Sequence, residues 1–141
     1  MIDWNRQNTE EWRELGFYYH EVGGQWQFYG SKSGLHNFVS LLDDYTKNED
    51  LDGISEHEHY GPYMMKIMTW DKAIITDEYI AGTISDLKTL KDIIAYKLNL
   101  SVVGGNFNID TEYGIDNTAT AKFFIMADDF DPPSMDENLF K

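Results

Sequence analysis

Two stretches of this chain, fifty-two residues apart, lie over one another without a gap: "GSKSGLHNFVSLL" (30–42) and "GTISDLKTLKDII" (82–94). Gly30 matches Gly82, Ser31 matches Thr83, Ser33 matches Ser85 and Leu35 matches Leu87. Phe38, Leu41 and Leu42 fall on Leu90, Ile93 and Ile94. Each copy follows strand-forming residues and opens an amphipathic helix, so the chain reads as a degenerate duplication of a ββα unit. A fold for this chain must therefore place two similar helices, each with one apolar stripe to bury.

The glycines of the first copy raise a chemical question. Gly30-Ser31-Lys32-Ser33-Gly34 has the look of a phosphate-cradling turn, because free N–H groups and a helix dipole favour an anion there. The second copy argues otherwise. Asp86 stands at the position of Gly34, three residues after Thr83, so Thr83 to Asp86 has the form of a capping box. A carboxylate there takes the place a phosphate would need. Both turns read as helix starts, with Ser31 and Thr83 as caps.

The remaining elements follow from periodicity. The N-terminal segment (1–14) carries a short helix around 9–14. "LGFYYHEVGGQWQFYG" has two aromatic arms about Gly23-Gly24 and reads as a hairpin. Leu35, Phe38, Leu41, Leu42 and Tyr45 predict a helix over 33–47 and complete a first ββα unit, 15–50. A polar connection runs to about residue 60. "PYMMKIMTW" (62–70) and "KAIITDEYIAG" (72–82) read as a second strand pair. A helix with Leu87, Leu90, Ile94 and Leu98 on one face closes the second unit, 62–99. "NFNID" and "TAKFFIMAD" form a final pair within 104–127, and the acidic tail 128–141, with Pro132-Pro133, reads as irregular.

The expected architecture is a single α+β domain, 1–141, in ββα-ββα-ββ order. Single apolar stripes on the helices and alternation in the strands suit a two-layer sandwich, a mostly antiparallel sheet with two helices on one face. Aromatic residues make up 15% of the chain, enough for a real core despite the charge. Trp4, Trp12, Trp26, Trp70 and nine tyrosines exceed what a modest core uses. Beside carboxylates such rings also make good anchors for a protein partner.

Charge narrows the function. Twenty-five acidic residues against eleven basic ones leave a net −14, which opposes binding to nucleic acid or an anionic membrane and favours a cationic partner. The acids are clustered. Residues 43–59 carry Asp43, Asp44, Glu49, Asp50, Asp52, Glu56 and Glu58 against Lys47 alone. The tail adds Asp128, Asp129, Asp131, Asp136 and Glu137 before Lys141. The candidate partner-binding residues are the seven acids of 43–59, with Asp128, Asp129 and Asp131 from the tail.

Cysteine is absent, which excludes disulfides, thiolate zinc sites and a cysteine nucleophile. The N-terminus "MIDWNRQNTEEWREL" has no apolar run and nothing approaches a membrane span, so a cytoplasmic location is expected. Catalytic signatures are missing too: there is no G-x-S-x-G, no Walker loop and no H-E-x-x-H. The candidates for metal ligation are His57 and His59, whose H-x-H spacing puts two imidazoles on one face of a strand. His20, His36 and many carboxylates are open as a third ligand, and none is picked out by spacing. The same pair in a polar strand start before "YGPY" also suits a purely structural role. No catalytic residue, metal or cofactor is assigned on this basis.

The run "GSKSGLHNFVSLLDDY" followed by "SEHEHYGPYMMKIMTW", in an acidic chain without a catalytic signature, resembles small bacterial immunity proteins. These are antidotes to polymorphic or contact-dependent toxins. The resemblance implies tight binding to one cognate toxin and no catalysis. Physical chemistry points the same way: a nuclease toxin needs a cationic cleft for phosphates, and a carboxylate array can fill that cleft and be steered to it. Two other readings stay open. One is a metal-dependent enzyme or metal-binding protein built on His57 and His59. The other is a regulatory module that forms a homodimer through an apolar sheet edge.

Overall fold

The computed structural model describes residues 3–140. Met1 and Ile2 of the N-terminal segment and Lys141 of the tail lie outside the described residues. Asp3 starts the first helix by accepting from the Arg6 amide, and Gly16, at φ 87°, ends it. This helix, α1 (Trp4–Leu15), is longer than the stretch expected from 9–14. Then come β1 (Tyr18–Val22), β2 (Gln25–Gly30) and α2 (Lys32–Lys47), β3 (His57–Tyr60) and β4 (Met65–Thr69), β5 (Ile74–Ile75) and β6 (Tyr79–Gly82), α3 (Ile84–Leu100), β7 (Asn106–Ile109) and β8 (Thr120–Ile125). Short 3-10 turns occupy Glu49–Leu51, Pro132–Met135 and Glu137–Phe140, so most of the tail is ordered into turns rather than irregular.

The class is α+β, with three helices and two small mixed sheets of four strands each among the described residues. The strand orders are β1-β2-β8-β7 and β3-β4-β6-β5. A single mostly antiparallel sheet is therefore not what forms. The segments 62–70 and 72–82 are also not a hairpin with each other: β4 pairs in parallel with β6. The true hairpin lies inside the second segment. There the Thr76 amide donates to the Tyr79 carbonyl, and the Thr76 hydroxyl accepts from the amides of Glu78 and Tyr79. The antiparallel partner of β4 is β3, from the stretch that reads as a polar connection.

The two sheets follow one plan in matched register. Phe28 faces Phe123 and Gly30 faces Ile125 in the parallel pair of one sheet. Ile80 faces Ile67 and Gly82 faces Thr69 in the other. Past the ladders, the Met126 amide donates to the Gly30 carbonyl and the Trp70 amide to the Gly82 carbonyl, each at 2.8 Å. Each sheet thus joins the hairpin that precedes a long helix to a hairpin from the other half of the chain.

One apolar cluster draws on both sheets and both long helices. Phe28 stacks on Phe123 at 4.6 Å and Phe123 on Phe107 at 4.8 Å, while Phe38 of α2 meets Phe28 edge-on at 5.0 Å. Leu35, Leu42, Leu87, Leu90, Ile94 and Leu98 supply the helical share. The sheets are stitched directly as well. The Ile75 carbonyl accepts from the amides of Thr118 and Ala119, and the Trp26 indole donates to the Thr76 carbonyl at 2.7 Å.

α1 stands outside this doubled plan. Only residues 70–73 separate β4 from β5, so β5 has no helix before it as β1 does. α1 is held by its one fully buried ring, Trp12, and by the tail packed beside it.

Candidate protein-binding groove

Both helix starts are closed by their own residues. The Gly34 amide donates to Ser31 Oγ at 3.0 Å, and Thr83 and Asp86 exchange two hydrogen bonds of 3.0 Å. A Cβ at Gly34 would sit 2.2 Å from the Gly16 carbonyl oxygen, so glycine is needed there for α1 to end against α2. Where α1 is lacking, the second copy tolerates Asp86.

The sequence-predicted acids divide into three groups. Asp43 bridges α2 to α3, bonded to Lys47 at 2.6 Å and Lys91 at 3.1 Å, and these lysines hold its carboxyl below the usual range. Asp131 forms a two-pronged pair with Arg13, which lowers its carboxyl likewise. Both are committed to the fold. Glu49, Asp50, Asp52 and Glu56 are exposed around the 3-10 turn that follows α2, and Asp128 and Asp129 are exposed just after β8. Asp44 and Glu58 are brought together on one groove. Asp131 lines a separate hollow with Arg13, Ser31 and Gly34, so the two acidic stretches do not merge there.

The groove consists of two open hollows, of about 700 and 440 Å³, that share Glu14 and Leu15. Along the first run Trp4, Gln7, Glu11 and Glu14 of α1, facing His59 and the Pro62 and Met64 of the β3–β4 turn. The second adds Asn37, Leu41 and Asp44 of α2 and Glu58 and Tyr60 of β3. Burial, reinforced by Glu58, pushes the Tyr60 hydroxyl well above the ordinary tyrosine value. Trp4 and Met64 remain 61% and 60% exposed. Met64 also sits in the left-handed region at φ 59°, where a glycine is the easier choice.

The charges at the groove are uncompensated. Among the described residues, Glu11, Glu14, Asp44 and Glu58 enter no ion pair. The two arginines of α1 are spent elsewhere, Arg6 on Glu10 and Arg13 on Asp131. Among the described residues, no lysine or arginine lines either hollow. Glu11 and Glu14 are not among the acids marked by clustering in the sequence, whereas Trp4 is among the rings read there as candidate partner anchors. The signal for the two acids was the spacing of Trp4, Gln7, Glu11 and Glu14, one stripe along a helix.

His57 and His59 do share a face of β3, with ring centroids 5.1 Å apart at 82°. His57 Nδ1 lies 3.0 Å from the Ser55 carbonyl oxygen, and His20 is engaged with Gln27 Oε1 at 2.6 Å. Among the described residues no group of three His, Cys, Asp or Glu side chains is placed to hold a metal ion. No described helix is long and apolar enough to cross a membrane. No family model matches the chain, and neither a curated protein nor a solved structure matches it.

Proposed function

We propose that this chain is an immunity protein: in the cytoplasm it binds a basic, nuclease-type cognate toxin through acidic surface and blocks the toxin's cleft, without catalysis of its own. The observation that carries this reading is the unequal commitment of its charges. Arg6, Arg13, Lys47, Lys72, Lys91 and Lys97 are all in ion pairs. The net charge is −14, so many carboxylates are left without a partner. Uncompensated like charge costs stability through self-repulsion. A protein that keeps it gains fast, steered association with a cationic partner. Under this reading the carboxylates take the place of substrate phosphates in the toxin.

The scaffold suits the task. We read it as a ββα plan used twice, α2 and α3 layered on the strands, that holds the acidic segments at fixed spacing on its rim.

The test is affinity capture with the intact chain as bait, at low and then moderate salt, from the cell that makes it. One basic protein retained in near-equal amount is expected. Co-expression should then restore growth to cells that this protein alone kills, and a captured protein that kills regardless of the bait overturns the reading.

A further inference from the structure

We infer that the groove between α1 and the β3–β4 turn is a docking surface for a partner segment that alternates lysine or arginine with apolar side chains. For the identity of the partner this rests on the toxin-binding reading; for the chemistry of the segment it does not.

Two observations set that chemistry and a third sets the groove apart from the rest of the surface. First, the groove offers apolar contact at Trp4, Leu15, Pro62 and Met64, and two of these side chains are more than half exposed. Apolar side chains exposed together in one hollow, and rimmed by polar residues, give an occupant apolar surface to bury. Second, among the described residues its carboxylates Glu11, Glu14, Asp44 and Glu58 have no ion-pair partner, and no lysine or arginine lines the walls. The missing cations are what an occupant would bring, and the face of Trp4 offers an arginine a further attraction. An anionic segment would meet four like charges.

Third, the groove breaks the doubled plan of the fold. The matched sheets and helices would give two similar surfaces, but α1 is present once and makes the hollow on one side only. Its footing costs the chain freedom elsewhere: Gly34 is needed beneath it. This helix of twelve residues anchors itself in the core through Trp12, and its outer stripe of Trp4, Gln7, Glu11 and Glu14 is left to build the wall. The wall is about 18 Å long at 1.5 Å per residue, enough for several side chains of a partner segment.

The experiment uses the full chain, isotope-labelled, and a synthetic twelve-residue peptide alternating lysine with leucine. The same peptide with glutamate for lysine is the control. Amide and indole shifts should concentrate on Trp4, Glu11, Glu14 and Met64, with no response to the control. The variant E11Q/E14Q, at exposed or half-exposed positions, should weaken peptide binding about tenfold and flatten its salt dependence. D128N/D129N should leave both unchanged. Shifts centred on 49–56 or 128–129, or equal loss with both double variants, would overturn the assignment. The two readings fail separately. A captured toxin whose affinity ignores E11Q/E14Q removes the groove and leaves the immunity reading; a peptide seated in the groove with no toxin captured does the reverse.

Discussion

The indole nitrogen of Trp12 donates to the buried carboxylate of Asp136 at 2.9 Å, joining residues 124 positions apart. The other oxygen of Asp136 accepts from the Tyr63 hydroxyl at 2.6 Å and the Asn138 amide at 3.1 Å. One side chain, 1% exposed, thus ties α1, the β3–β4 turn and the tail. Removing it strands the buried indole donor. D136A is expected to cost about 3 kcal/mol, the worth of a hydrogen bond to a charged group plus a donor left unmet. D136N, which keeps one acceptor oxygen, should cost less. Chemical denaturation followed by tryptophan fluorescence measures both, and an unchanged midpoint for D136A would mean that the tail is not part of the cooperative fold.

Alkaline pH should loosen the same region. Burial pushes the Tyr18 hydroxyl up to about 12, with Asp136 adding to it. Tyr19 also rises to about 12, driven by burial against the opposing amide of Met65. A tyrosine that stays protonated in the folded state and ionises near 10 when unfolded contributes stability that is complete below pH 10. That contribution is lost as pH rises from 10 to 12. Each group steepens the loss by about 1.4 kcal/mol per pH unit at most. Denaturation midpoints at pH 9, 10 and 11 test this, with Y18F and Y19F expected to flatten the decline.

Much of this fold was legible because its signals are local. Leu35, Phe38, Leu42 and Tyr45 fall on one helical face, and all four are buried. Gly23-Gly24 turns the first hairpin, both at positive φ. The capping box at Thr83 and Asp86 forms as written. What was not legible is long-range choice. β4 and the segment after it are chain neighbours with strand-like residues, but the turn at Thr76 folds that segment on itself and frees β4 to pair with β6 in parallel. A two-residue strand such as β5 leaves almost no periodicity to detect. The groove was hidden for the same reason. Trp4, Glu14, Asp44, Glu58 and Met64 meet only after three separate elements pack. The clustered acids pointed to Asp43 and Asp131, which the fold uses internally.

The glycine at the first helix start makes a clean test of structure against phosphate binding. A methyl at residue 34 would meet the Gly16 carbonyl, which is backbone and cannot swing aside. G34A should therefore destabilise the protein by about 1–3 kcal/mol, the usual cost of overpacking, although alanine is the better helix former. S33A, at an exposed neighbour, should do little. Thermal unfolding ranks the two, and inorganic phosphate added to the wild type should shift neither its midpoint nor its amide spectrum.

Asp43 separates a structural acid from an interfacial one. Its bonds to Lys47 and then Lys91 hold the carboxyl below the ordinary aspartate value, so the pair favours the folded state above about pH 4. That contribution fades as pH falls through the lowered folded value. D43N lacks it at every pH. The variant should therefore be less stable than the wild type at pH 7, and the difference should shrink as pH falls below about 4. Because Asp43 is satisfied by two lysines, D43N should leave affinity for a basic partner nearly unchanged, whereas D44N, at the groove and in no ion pair, should weaken it. Denaturation curves across pH and binding at two salt concentrations give both comparisons. Equal losses of affinity for D43N and D44N would mean that the partner competes for Asp43 and that α2 and α3 separate when it binds.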